Sequence, residues 1–166
     1  MVARLISARQ ALQATRQIFY VEMGGWDSHD DPALSNVRDG MSALDGALAA
    51  FHAALGELGV RDRVTTALVS EFGRTLTSNG RGSDHGWGGH YMVFGDSVIG
   101  GRLHGDFPDL ALGSLRDAGA GRLIPTTSFD QYTATLMEWM GLIPNELAEM
   151  YPTLVNFPLS NMGFMA

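Results

Sequence analysis

One stretch of the sequence carries a helical pattern of apolar residues over roughly six turns, and it limits what the chain can fold into. Apolar residues recur there at alternating steps of four and three: Val37, Met41, Leu44, Leu48, Phe51, Leu55 and Leu58. This spacing places one apolar stripe on one face of a helix. Gly59 follows the stripe, at a position where glycine commonly ends a helix. The pattern predicts a helix over 37–58 that packs on a sheet.

Three apolar runs are typical of buried strands. Residues 17–21 precede the long helix, and residues 64–69 follow it, which favours a βαβ unit with two parallel strands and a right-handed crossover. Residues 91–94 come after about twenty residues with no helical period, so an antiparallel return is simpler for this third strand. The sequence therefore predicts one α/β domain over 1–166, with a mostly parallel sheet, a βαβ crossover and helices packed on the sheet.

Shorter patterns predict further helices. Residues 3–15 mix apolar positions with Arg and Gln and predict a short helix. Thr127 or Ser128 can cap a helix over 129–140, whose apolar residues share one face. Pro144 starts another short helix.

The composition excludes several classes of protein. The chain has 166 residues, of which 45% are hydrophobic, enough to bury a core. A net charge of −7 and scattered basic residues argue against nucleic acid as a partner. No apolar run approaches the 18 or so residues of a membrane span, and residues 1–17 lack the pattern of a signal peptide. The absence of cysteine excludes disulfides, thiolate metal sites and cysteine nucleophiles.

Polar side chains follow both predicted parallel strands and precede the third strand. Six of them have the chemistry of metal ligands: Asp27, His29, Glu71, Asp84, His85 and His90. Ligands of open α/β sheets bind outside the carboxyl ends of the strands, so we expect these six residues at one rim. Mixed carboxylate and imidazole ligands suit Zn²⁺, Mn²⁺ or Fe²⁺. The sequence thus predicts a site for a divalent metal, with zinc or manganese preferred.

Each motif also has a simpler explanation. Asp27 can cap backbone amides after a Gly-Gly turn. Asp84 and His85 can belong to a solvated turn, and Glu71 can form a salt bridge with Arg74 that holds a loop. The convergence of three separate segments on one rim is what favours the metal site over these alternatives.

Several motifs resemble the signatures of the DUF1501 family. They are Gly-Gly-Trp-Asp-Ser-His at 24–29, Ser-Glu-Phe-Gly-Arg-Thr at 70–75 and Ser-Asp-His-Gly-Trp-Gly-Gly-His at 83–90, with Ile-Pro-Thr-Thr-Ser at 124–128 and Asn-Phe-Pro at 156–158. The resemblance implies membership of the superfamily of alkaline phosphatases and sulfatases, and an exported, periplasmic location. It also implies that the chain is the carboxyl-terminal part of a longer protein.

The resemblance further implies roles for individual residues. Asp27 and His29 resemble the first metal-binding pair of the superfamily, Glu71 takes the place of a second Asp, and His85 or His90 resembles a later His. Phe72 stands where the superfamily has a metal-binding His, and Asp84 with His85 can fill that gap. The implied activity is metal-dependent hydrolysis of a small phosphate or sulfate ester. Since the superfamily's nucleophile lies in an upstream segment, we expect this chain alone to be inactive. The alternative is a non-catalytic exported protein for binding or assembly.

Overall fold

The computed structural model describes residues 1–31 and 34–166. The helices are α1 (Val2–Ser7), α2 (Ser35–Glu57), α3 (Phe129–Trp139) and α4 (Pro144–Met150), with short 3₁₀ turns at Arg61–Arg63 and Pro152–Asn156. The strands are β1 (Thr66–Leu68), β2 (Gly73–Ser78), β3 (Ser83–Gly86) and β4 (Met92–Phe94). The chain divides into two compact units: Met1–Val64 with Ser78–Asp84, and Thr65–Thr77 with His85–Ala166.

The long helix α2 of the first unit confirms the helix predicted from the apolar stripe. Its predicted packing on a sheet is wrong, because α2 packs against α1 and the turn at Arg61–Arg63. At the start of α2, the Asp31 carboxylate accepts hydrogen bonds from the Ser35 hydroxyl at 2.8 Å and from the Asn36 amide at 2.7 Å, which has no partner within the helix. The helix ends before Gly59, which has a φ of +64° as expected for a glycine after a helix. Local sequence therefore sets both ends of α2.

Only the last turns of the apolar stripe reach the core of the first unit. Leu55 is 4% exposed and packs in a buried cluster with Ile6 of α1 and with Val60. Met41, on the same stripe, is 45% exposed. Phe19 packs against the edge of the cluster. The carboxyl-terminal turns of α2 therefore supply its contacts with this buried cluster.

The second unit contains an antiparallel pair, β1 with β4, in which Thr66 pairs with Phe94 and Leu68 with Met92. This confirms the predicted antiparallel return of the strand near 91–94. Helix α3 confirms a second prediction: the Ser128 hydroxyl accepts from the Gln131 amide, and the Gln131 side chain accepts from the Ser128 amide, which forms a capping box. Helix α4 begins at Pro144, also as predicted.

The predicted α/β fold with a mostly parallel sheet is wrong. Residues 17–21 form no strand, and Tyr20 within them is 84% exposed. In the described ranges, 1–31 and 34–166, the sheets are two separate two-stranded pairs, β1 with β4 and β2 with β3. The β2–β3 pair is a hairpin with a short connection and is therefore antiparallel. An apolar, β-branched run gives strand propensity, but a strand also needs a neighbour to take its backbone hydrogen bonds.

One helix prediction also needs correction. The helix predicted over 3–15 stops at Ser7, and turns follow it as far as Gln13, which has a φ of +52°. The glycine-rich stretch after Ser70, in which the sequence shows no helical period, forms the β2–β3 hairpin. The tip of that hairpin, Ser78–Asp84, belongs to the first unit.

Candidate metal centre

His29 lies between two aspartates in the first unit. Its Nε2 is 3.4 Å from Oδ1 of Asp27, and its Nδ1 is 3.3 Å from Oδ1 of Asp84. The side chain of Asp27 is 67% exposed, while those of His29 and Asp84 are partly exposed. The two ring nitrogens therefore face one carboxylate each, and the Asp27 side is open to solvent.

The backbone on both sides of His29 is anchored. Before it, the Trp26 indole donates to the Met23 carbonyl at 2.7 Å, and its ring lies against α2 at Gly40, where a Cβ would come within 2.9 Å of the ring. After it, Asp31 caps α2 through its carboxylate. Ser28, immediately before His29, is 1% exposed. The anchored backbone limits where the imidazole can move.

Asp84 reaches His29 because the hairpin tip lies directly on the backbone of the 28–29 segment. A Cβ at Gly82 would collide with the carbonyl oxygens of Ser28 and His29, so glycine is what permits this approach. Asn79 secures the contact: its Nδ2 donates to Oδ1 of Asp84 at 2.9 Å and to the His29 carbonyl at 3.2 Å.

An ion pair adds to this junction. The Arg81 Nε is 3.1 Å from Oδ1 of Asp30, with both side chains largely exposed. Exposed pairs contribute about 0–1 kcal/mol, so Arg81 adds little to the attachment of the hairpin tip. The Asn79 hydrogen bonds to Asp84 and to the His29 carbonyl also join the tip to this segment.

The separation of Asp27 and His29 suits two ligands of one metal ion. Ligand atoms at about 2.0–2.1 Å from a tetrahedral ion lie about 3.4 Å apart, and Oδ1 of Asp27 is 3.4 Å from Nε2 of His29. Metal-binding histidines commonly donate their other ring N–H to a carboxylate, which orients the ring. Asp84 occupies that position at Nδ1. The cluster in the first unit thus has two ligand atoms and a carboxylate that orients one of them.

The other three predicted ligands belong to the second unit. Glu71 lies beside the Ser70 hydroxyl, with 3.5 Å between Oγ and Oε2. The His85 ring stacks on Phe72 with centroids 3.8 Å apart, and the His90 ring stacks on Phe107 at 5.6 Å. His85, like Asp27 and His29, offers a ligand atom of a kind that binds metals. That all six residues share one site stays a prediction, and the parallel sheet on which it rested is absent from the described residues.

Asn79 was missed by the sequence reasoning, although the sequence contains a signal for it. Asn79 and Gly80 form an Asn-Gly pair, which is typical of tight hairpin turns. The pair predicts a turn at this point. It does not predict that the other end of the asparagine side chain reaches Asp84 and His29, because those contacts depend on the tertiary fold.

Carboxylate and imidazole groups held together near the surface define a cluster of the type that binds divalent cations. The chain belongs to the family described as "Protein of unknown function (DUF1501)", whose model matches residues 1–148 and confirms the family resemblance of the motifs between 24 and 128. No curated protein and no solved structure matches the chain. Across residues 1–31 and 34–166, no helix has both the length and the apolar character to cross a membrane.

Proposed function

We propose that this chain binds a divalent metal ion, zinc or manganese, through Asp27 and His29, with Asp84 orienting the imidazole. The observation that carries the proposal is the 3.4 Å separation of Oδ1 of Asp27 and Nε2 of His29, together with the carboxylate at Nδ1. A neutral imidazole has one N–H and cannot donate to both aspartates. A cation between Nε2 and Asp27 satisfies both sides of the ring.

The simpler reading is a histidine held by two ion pairs, and it explains the arrangement less well. The side chain of Asp27 is 67% exposed, and exposed ion pairs contribute about 0–1 kcal/mol. Such a small gain does not account for the Gly82 approach and the Asn79 contacts that bring Asp84 to the ring. The need to orient a metal-binding imidazole explains why Asp84 is held at the ring.

For the reaction, we propose that a protein containing this metal-binding chain hydrolyses a small phosphate or sulfate ester. The metal would polarise the ester and stabilise the charge that develops during hydrolysis. The support is the family's resemblance to alkaline phosphatases and sulfatases, and the same resemblance supports an exported, periplasmic protein. Hydrolysis through a covalent intermediate also needs an accessible side-chain nucleophile.

The second candidate function is metal-dependent binding or assembly without turnover. The observation that favours it is the burial of Ser28, the hydroxyl residue between Asp27 and His29, which is 1% exposed. A buried hydroxyl cannot attack a substrate that arrives from solvent. The two candidates share the metal site and differ in whether an ester is cleaved.

Titration calorimetry with Zn²⁺ and with Mn²⁺ at pH 7.5 tests the metal site. We expect one ion per chain, and a loss of affinity of at least about tenfold in Asp27→Asn and in His29→Ala. His85→Ala is measured beside them, because the sequence predicts His85 as a ligand. His52→Ala is the matched control, since His52 is an exposed histidine of α2. A parent chain that binds neither ion, or a His29→Ala variant with the parent's affinity, contradicts the proposal.

A further inference from the structure

Both the oxygen and the nitrogen of the Asn79 side-chain amide form hydrogen bonds, and the two atoms contact different parts of the first unit. Its Oδ1 accepts hydrogen bonds from the amides of Arg81 at 2.9 Å and Gly82 at 2.7 Å, which closes the hairpin turn. Its Nδ2 donates to Oδ1 of Asp84 and to the His29 carbonyl. The four contacts use both donors and both acceptor positions of the amide.

The partners of Asn79 allow one orientation of the amide. With oxygen and nitrogen exchanged, the amide oxygen would face a carboxylate and a carbonyl, and the NH₂ group would face two backbone N–H groups. Every contact would then join two acceptors or two donors. The NH₂ group therefore points to Asp84 and His29.

The oxygen that Asn79 holds is the one that faces the His29 ring. Oδ1 of Asp84 accepts from Asn79 at 2.9 Å and lies 3.3 Å from Nδ1 of His29. The second N–H of the Asn79 amide is bound to the backbone of His29 itself. One side chain thus fixes the distance between the carboxylate and the ring.

We propose that Asn79 is a positioning residue for the metal centre. By holding Asp84 at Nδ1, Asn79 selects the neutral tautomer with the proton on Nδ1, and this leaves the Nε2 lone pair directed to the metal. The expected consequence of this positioning is tighter metal binding, and that consequence rests on the proposed function. Its direct effect, the choice of tautomer, occurs in the metal-free protein as well.

Asn79→Asp separates the two roles of the side chain. The aspartate keeps an oxygen that can accept from Arg81 and Gly82, so the turn is retained. It replaces the NH₂ group by a second oxygen, which repels the carboxylate of Asp84. Ser78→Ala is the matched control within the turn, because the Ser78 hydroxyl donates to the Gly82 carbonyl at 2.9 Å and accepts from the Gly80 amide at 3.0 Å.

Nitrogen-15 NMR of the histidine rings, recorded on the metal-free full chain at pH 8, reads the tautomer directly. The His29 signals are assigned by their loss in His29→Ala. We expect the Nδ1–H tautomer to dominate in the parent and in Ser78→Ala. In Asn79→Asp we expect the ratio of the two tautomers to shift at least about twofold toward Nε2–H, with zinc affinity about 10–100-fold lower. Thermal unfolding of the parent, Ser78→Ala and Asn79→Asp shows whether each variant is folded.

The outcomes distinguish the positioning role of Asn79 from the metal site. A tautomer shift with loss of zinc affinity in Asn79→Asp alone supports both the positioning role and the metal site. A tautomer shift in a chain whose parent binds no metal supports the positioning of His29 and overturns the proposed metal function. An unchanged tautomer ratio in a folded Asn79→Asp variant overturns the positioning role, whatever the zinc affinity. Equal tautomer shifts in Ser78→Ala and Asn79→Asp also overturn it, because the turn as a whole would then be responsible.

Discussion

Nδ1 of His29 lies 3.3 Å from Oδ1 of Asp84, a residue 55 positions away in the sequence. The contact depends on the hairpin tip, which approaches the His29 backbone at Gly82 and is tied to it by Asn79. If the metal site depends on this contact, substitutions in the hairpin should lower its metal affinity even where the substituted residue does not contact a ligand.

Gly82→Ala tests that dependence. The new Cβ would meet the carbonyl oxygens of Ser28 and His29, which are backbone atoms and cannot rotate away. We expect a loss of about 1–3 kcal/mol in the free energy of unfolding, as for an overpacked site, and a loss of metal affinity of at least about tenfold. Urea unfolding and calorimetry measure the two effects.

Gly46→Ala is the control for the glycine change. Gly46 lies in α2, and a Cβ there has no neighbour within 4 Å. Alanine in a helix is more favourable than glycine by about 0.5–1 kcal/mol, so this variant gains stability and keeps its metal affinity. Equal metal affinities of Gly82→Ala and the parent would show that the hairpin approach is irrelevant to the site.

The stability of the first unit should depend on position along the apolar stripe of α2. Leu55 is 4% exposed and lies in the core cluster, whereas Met41 is 45% exposed. We expect Leu55→Ala to lower the free energy of unfolding by about 2–5 kcal/mol and Met41→Ala to change it by about 0.5 kcal/mol or less. Urea denaturation monitored by circular dichroism measures both. Similar losses in the two variants would mean that the exposed end of the stripe is covered in solution.

The helices could be predicted from the sequence because their determinants are local. The apolar stripe of α2 is followed directly by Gly59, and the two partners of the capping box of α3, Ser128 and Gln131, are three residues apart. The strand predicted at 17–21 failed because strand formation requires hydrogen bonds from a partner that local composition does not reveal. The antiparallel return at β4 was predicted correctly because the connection has no helical period, and a parallel pairing usually needs a helical crossover.

The candidate site was predicted in part, for a related reason. Asp27, His29 and Asp84 were named from their residue types and motifs, and the first unit brings them together. Their proximity was predicted from the edge of a parallel sheet, which the described residues do not form. Asn79 was missed because its importance arises from contacts with residues distant in the sequence, which the Asn-Gly turn signal does not encode.

The pH dependence of stability should reveal the cap of α2. The Ser35 hydroxyl, and then the Asn36 amide, hold the pKa of Asp31 below its usual range. Because the pKa is lower in the folded state, the stabilisation is fully present above the ordinary aspartate range and is lost as the pH falls through the lowered value. We expect Asp31→Ala to lower the melting temperature at pH 7 by about 2–4 °C, with the difference closing toward pH 2.

The control for the cap is Asp39→Ala, which removes the same charge from an exposed position within α2. Differential scanning calorimetry from pH 7 to pH 2 follows the three proteins. If Asp39→Ala reproduces the full pH-dependent difference, general charge effects explain it and the cap does not.

Metal binding should weaken as the pH falls from 7.5 to 5, because protons compete with the metal for imidazole and carboxylate ligands. We expect the affinity for zinc to drop at least about tenfold over this range in the parent chain. His52→Ala should follow the parent, since it leaves Asp27 and His29 intact. Calorimetry at both pH values measures the change. An affinity that is the same at pH 7.5 and pH 5 would exclude a histidine from the ligands.

The chain by itself should hydrolyse generic phosphate and sulfate monoesters no faster than a denatured control, even with zinc or manganese present. The hydroxyl nearest to the cluster in the sequence, that of Ser28, is buried at 1% exposure. The Ser70 hydroxyl donates to the Phe72 carbonyl at 2.9 Å. A metal can polarise an ester, but hydrolysis through a covalent intermediate also needs an accessible side-chain nucleophile. The assay uses p-nitrophenyl phosphate and p-nitrophenyl sulfate with each metal.

Metal-dependent turnover that disappears in Ser28→Ala, Ser70→Ala or Ser83→Ala would show that this chain already contains a working nucleophile. The binding-only alternative would then be wrong.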